Sequence, residues 1–209
     1  MKNVRIFFSK TGRAIYISHL DLYRLFQRAV KRCGLPLWET QGFNPHVYIT
    51  FALPLALGTA GLCESLDARL TDDDMSFDEV CRILGAVMPE DIKILRAAEP
   101  VHDPADIERS YYEADFECDP DSFDEFLSGE HIITEKKTKR GMTQLDLKEH
   151  LEIKEKSPGH LGFFLPSGTQ FNINAGLLFD AFEKRYDTEM GILNIKRRAV
   201  YCKNGEIFV

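Results

Sequence analysis

The densest group of residues that could do chemistry lies in the first fifty positions. It consists of Ser18-His19-Leu20-Asp21 and Gly42-Phe43-Asn44-Pro45-His46. Two imidazoles and a carboxylate suit acid–base work, so His19, His46 and Asp21 are the catalytic candidates. The same three groups are the fewest that could hold a divalent metal, but their open spacing argues against one. No metal and no cofactor is expected. Ser18 and Asp21 also have a local use. A serine followed three residues later by an acid is capping-box spacing, and Asp21 complements the positive end of a helix. Gly42 to Pro45 reads as a tight turn, or as a loop presenting Phe43 and His46 for stacking on a base.

Cations follow directly. At 100° per residue Arg24, Arg28, Lys31 and Arg32 fall in one arc, separate from the apolar arc of Leu22, Leu25, Phe26, Ala29, Val30 and Cys33. Residues 1–50 hold eight Lys/Arg and two Asp/Glu, so local i,i+4 acids cannot neutralise that arc. It is either a solvated helix face or a surface for phosphates. Lys136, Lys137, Lys139 and Arg140 form a second cluster on an expected hairpin, and Lys196-Arg197-Arg198 a third. Residues 51–130, with 5 Lys/Arg against 21 Asp/Glu, carry the opposite charge. The overall −7 therefore hides a polarised chain.

The elements that position these residues can be read from period and caps. Val4–Ser9 is a strand, Ala14–Ile17 extends again, and Ser18 caps a helix that runs to Cys33, where Gly34 and Pro36 stop it. Extended segments follow at Leu37–Thr40, His46–Ala52 and Leu62–Leu70. Ser76–Val87 is a second helix and Ile92–Ala98 a closing strand. This β-α-β-β-α-β order predicts a ferredoxin-like unit over 1–100. Polar 101–109, with Pro104, is the expected linker. The order restarts in 110–209. Tyr111–Cys118 is a strand, and Asp121–Ser128 a helix capped by Ser122 or Asp121. Strands at Ile132–Lys137, Thr143–Leu147 and Leu161–Leu165, a helix at Ala175–Tyr186 and a strand at Ile192–Tyr201 follow. The expected class is α+β, with two tandem ferredoxin-like domains.

Several function classes drop out. Five cysteines (an odd number with no Cys-x-x-Cys) argue for reduced thiols and against a disulfide scaffold, zinc ribbon or iron–sulfur carrier. No apolar run nears the roughly 18 residues of a membrane span, and Met1–Arg5 is not a signal peptide, so a cytoplasmic protein with no membrane partner is expected. Phosphate-loop, dinucleotide, esterase-elbow and zincin motifs are missing.

The stretch from Lys10 to Asp67 resembles the bacterial radical-SAM-linked family, a domain of unknown function. Ser18–Asp21, Cys33–Pro36, Gly42–His46 and Pro54–Gly58 carry the likeness. Glu64 matches an acidic position, and Asp146 follows a basic segment as in a looser family pattern. The resemblance implies association with cobalamin-dependent radical-SAM proteins, as a fused domain or neighbouring gene, often near ribonuclease and ribosomal-protein genes. This chain lacks a three-cysteine cluster motif and would be the separate, linked component. The expectation is an RNA-binding accessory presenting tRNA, rRNA or a ribosomal component to a radical-SAM partner. The RNA contacts would be Arg24, Arg28, Lys31, Arg32, Phe43, Lys136, Lys137, Lys139 and Arg140. The alternatives are an RNA-processing nuclease or small hydrolase using His19 and His46, and a protein-docking module that binds no RNA.

Overall fold

Helix α1 (His19–Cys33) starts and stops on local chemistry. Ser18 Oγ accepts the Asp21 backbone N–H at 3.1 Å, and Gly34 closes the helix at φ 69°. Leu22, Phe26, Ala29 and Val30 are buried along one side. These details come from a computed structural model that describes residues 1–138, 141–191 and 193–209. The chain is a mixed α+β protein with four α-helices among those residues. It divides into two compact units, one of residues 1–106 plus 207–209 and one of 107–206.

The first unit contains β1 (Lys2–Lys10), α1, β2 (Thr50–Phe51), β3 (Ala60–Leu70), α2 (Phe77–Gly85) and β4 (Ile92–Ala98). Its strands lie in the order β4-β1-β3-β2, every pair antiparallel. Alternation puts Val4, Ile6 and Phe8 with Leu66, Ala68 and Leu70 on the face covered by α1 and α2. Phe8 meets Phe26 with ring centroids 4.9 Å apart, and Phe51 closes over both at 6.0 and 5.7 Å.

The last residues return to this unit. Val209 C=O accepts from Val101 N, His102 N and Arg5 Nη1 at 3.2, 3.0 and 2.9 Å. Arg5 is 1% exposed, makes a two-pronged pair with Asp67 at 2.6 and 2.8 Å, and stacks its guanidinium 4.2 Å above the buried Phe208 ring. The stretch expected as a linker therefore takes part in structure. Its start is tied to Val209, Pro104–Asp106 forms a 3-10 turn, and a strand begins at Ile107.

The second unit contains β5 (Ile107–Asp115), α3 (Pro120–Ser128), β6 (Ile133–Thr138), β7 (Gly141–Asp146), β8 (Glu152–Ser157), β9 (His160–Pro166), α4 (Gly176–Tyr186) and β10 (Asn194–Cys202). Its sheet order is β10-β5-β9-β8, while β6 and β7 pair with each other in a separate two-stranded sheet. The core is aromatic. Phe123 lies 4.6 Å from Phe116 and 5.3 Å from Phe182, and Phe179 is buried among them.

Three expectations change here. Residues 14–16 do not extend but belong to a 3-10 turn at Gly12–Tyr16, with Ile17 alone extended after it; Gly12 sits at φ 51°, and a Cβ there would collide with the Asp91 carboxylate. Helix α3 is capped by Asp119, whose carboxylate accepts Ser122 N at 2.9 Å, with Pro120 in the first turn. Strand β8 lies in a stretch where no strand is expected, and it pairs with β9.

Replacing Phe208 with alanine removes a buried ring from beneath Arg5. Urea unfolding should report a loss of about 3 kcal/mol; a loss below about 1 kcal/mol would mean that the tail is not integral to the first unit.

Candidate nucleic-acid interface

Helix α1 carries its cations as a row. Arg24, Arg28 and Arg32 recur every fourth residue, about 6 Å apart along the axis, and line one groove of about 430 Å³. The rest of its lining is apolar Ile17, Leu25, Ala29 and Pro89, with the one carboxylate of Asp21. The partners these cations do find lie outside the i,i+4 register. Arg24 pairs with Asp21 at 3.3 Å, Lys31 with Glu39 at 4.0 Å, and Arg32 donates to Val87 C=O. The Arg24 and Lys31 pairs are exposed and weak, so they compete poorly with a phosphate. Arg28 has no ion-pair partner within 4 Å among the described residues. Lys31 does not line the groove. Asp21 accepts from Ser18 Oγ at 2.7 Å, and that hydrogen bond, with help from Arg24 and Arg28, holds its carboxyl below the usual range. In that position it serves the helix start.

At the N-terminal end of the helix a second arrangement appears, which the sequence signalled only in part through His19 and Glu64. Lys10, on β1, is 2% exposed, and its Nζ donates to Ile17 C=O at 2.9 Å and Ile15 C=O at 3.3 Å. Glu64, on β3, is 5% exposed and folds over Gly61, the register partner of Lys10. A Cβ at Gly61 would come within 2.6 Å of that side chain. One buried charge of each sign thus lies within electrostatic reach of His19. The His19 ring keeps a solvent-facing edge and packs at 5.1 Å on Phe51. Desolvation on that side, then the Lys10 charge, lowers its pKa, with Glu64 pulling the other way. The neutral imidazole is favoured, the form able to accept a proton.

His46 takes different partners. Its Nδ1 is 3.0 Å from Thr40 Oγ1 and 3.0 Å from Asn44 C=O, so it closes the Gly42–His46 loop. Gln27 Nε2 donates to Val47 C=O at 3.3 Å, which places that loop two turns along α1 from His19. The two histidines share no hydrogen-bond or ring partner among the described residues. Gly42 sits at φ 132°, Pro45 follows Asn44, and Phe43 at the tip is fully exposed.

The remaining candidates divide. Asp146 accepts from Ile132 N at 2.9 Å, Lys148 N at 3.0 Å and His131 Nδ1 at 2.6 Å, closing the base of the β6–β7 hairpin. Lys136 and Lys137 lie on β6 opposite Thr143 and Met142, whereas Lys139 and Arg140 lie outside the described residues. The 196–198 cluster is spent internally. Lys196 pairs with Asp115, Arg198 with Glu113, and Arg197 is buried. Among the described residues no group of three or more His, Cys, Asp or Glu is placed to hold a metal ion. Among the described residues no helix is long and apolar enough to cross a membrane.

Residues 3–175 match a family described as an uncharacterized protein conserved in bacteria. The chain belongs to DUF2344. The match takes in the whole of the α1 groove, the Lys10–His19–Glu64 group and the hairpin closed by Asp146. No curated protein matches this DUF2344 chain.

Two measurements test the His19 end of the site. Because folding lowers the His19 pKa, the unfolded chain binds the extra proton first, and stability should fall as pH drops below about 6.5. Melting curves at pH 5 and 7.5 should show a smaller pH difference for His19→Gln than for the wild type; an equal difference removes His19 from the cause. Lys10→Met strips a buried charge from its partners and should cost about 3–5 kcal/mol in urea unfolding. A loss under about 1 kcal/mol would show that the ammonium does not hold the turn.

Proposed function

We propose that this DUF2344 protein is an RNA-binding accessory that presents tRNA, rRNA or a ribosomal component to a cobalamin-dependent radical-SAM partner. The observation that carries the RNA part is the row of Arg24, Arg28 and Arg32 along one groove whose remaining lining, Asp21 apart, is apolar. Guanidiniums repeated each helical turn suit a phosphate backbone, and the apolar lining suits ribose and base edges. The strand orders β4-β1-β3-β2 and β10-β5-β9-β8 support reading the units as tandem ferredoxin-like domains with the β6–β7 hairpin inserted in the second. Such modules commonly bind RNA, an analogy of fold alone. The radical-SAM partner comes from the likeness around Ser18–Asp21 and Gly42–His46.

A second reading, an RNA-processing nuclease or small hydrolase, gains one observation. His19 favours its neutral form beside buried Lys10 and Glu64. In that reading His19 would be the base and His46 would drop out, because its ring closes its own loop.

The experiment is a salt titration of single-stranded RNA binding. With about 0.7 counterions released per phosphate contact, Arg24→Gln with Arg28→Gln should flatten the slope of log K against log salt by about 1.4. Both side chains are exposed, so stability should stay within about 0.5 kcal/mol. An unchanged slope removes α1 as the RNA face. RNA shortening that His19→Ala abolishes while binding persists would favour the hydrolase. Retention of a radical-SAM protein with no RNA binding would leave a docking module.

A further inference from the structure

On the first unit's sheet, alternation turns Asn3, Arg5, Asp67 and Arg69 away from the face that α1 and α2 cover. On that reverse face lies a depression of about 440 Å³, lined in part by Asn3, Tyr48, Thr50, Asp67, Arg69 and His102. Its base is rigid, since Arg5 is buried and two-pronged on Asp67. Its rim is aromatic. Tyr48 is 42% exposed, lines the depression and meets Trp38 in an edge contact at 5.5 Å. Arg69 lies 5.8 Å over the Trp38 ring, and both segments are pinned by Trp38 N to Arg69 C=O and Tyr48 N to Trp38 C=O, at 2.8 and 3.0 Å.

The chemistry of the lining selects the ligand. Two arginines and two aspartates balance in formal charge, so the depression is not a phosphate site. Asn3 and Thr50 offer both donors and acceptors beside the tyrosine ring. A flat, neutral, amphipathic ligand with hydrogen-bonding edges meets those terms, and in an RNA-binding protein that ligand is a base. We infer that this reverse-face depression takes an unpaired nucleobase of single-stranded RNA, stacked on Tyr48. The inference rests on the RNA reading and adds to it a place where a base, rather than a phosphate, is held.

Trp38 is the only tryptophan in the chain, so its emission reports on this site. The full chain is titrated with uridylate and adenylate hexamers and with the two mononucleotides, following Trp38 emission and the anisotropy of a labelled hexamer. The hexamers should change Trp38 emission saturably. Tyr48→Ala should weaken hexamer binding about 5- to 100-fold, the range of one lost base–aromatic stack, and Tyr48→Phe should leave it within about twofold. Should Tyr48→Ala lose its circular dichroism signature, the exposed Asn3→Ala takes its place, with weaker binding again expected. If the hexamer binds by anisotropy while Trp38 emission stays flat and Tyr48→Ala binds as the wild type, the base site is overturned and the α1 reading survives. If no hexamer binds, yet a mononucleotide shifts Trp38 emission, the RNA reading falls and the depression is a free-nucleotide site instead.

Discussion

The ammonium of Lys10 fixes how the first unit meets its longest helix. Buried at the end of β1, it reaches the carbonyls of Ile15 and Ile17, the acceptors on either side of the approach to α1. A buried ammonium must find several acceptors or a countercharge, and here the chain bends into a 3-10 turn to supply them. That turn sets where Ser18 caps, which in turn sets the rotation of α1 about its axis. Helical rotation then decides everything on the surface: the apolar stripe goes down onto Phe8 and Phe51, and Arg24, Arg28 and Arg32 line one groove.

Opposite charges are used differently on the two faces of the same sheet. On the helix side, Lys10 and Glu64 are buried and the arginines lie outside, paired weakly or not at all. On the reverse side, Arg5 is consumed by Asp67 and by Val209. A fully desolvated guanidinium with both prongs on one carboxylate is a rigid fixture, whereas an exposed arginine is free to change partner. The fixed pair suits a shaped base site, and the exposed row suits a backbone that must be held in any sequence.

What the sequence made legible was what local chemistry determines. Ser18, Asp21, Gly34 and Ser76 act within one helical turn of themselves, so both helices of the first unit could be delimited by their caps. Phe43 at a turn tip was equally local. The misreadings involve distant partners. The bend at Gly12–Tyr16 depends on Lys10 and on Asp91, eighty positions on. Strand β8, Glu-Ile-Lys-Glu-Lys-Ser, is exposed along its whole length and carries no apolar alternation, because it borders a sheet through backbone bonds to β9. Glu64 showed in the sequence only as a likeness, since nothing nearby indicates that a carboxylate is to be buried against Gly61. His19 and His46 suit acid–base work by residue type, which is legible in sequence, whereas their separate partners, Phe51 for one and Thr40 with Asn44 for the other, are set by the fold.

The first unit is discontinuous, and this has a consequence for how the protein is made. Its Phe208 and Val209 are separated from the rest of it by the 100 residues of 107–206. At a synthesis rate of roughly 5–20 residues per second, about 5–20 s pass between the emergence of β4 and the arrival of the tail. Through that interval Arg5 holds Asp67 but lacks the ring and the carbonyl that complete its shell. The nascent first half is therefore a provisional structure with an open seam, and it is closed only after the second unit has left the ribosome.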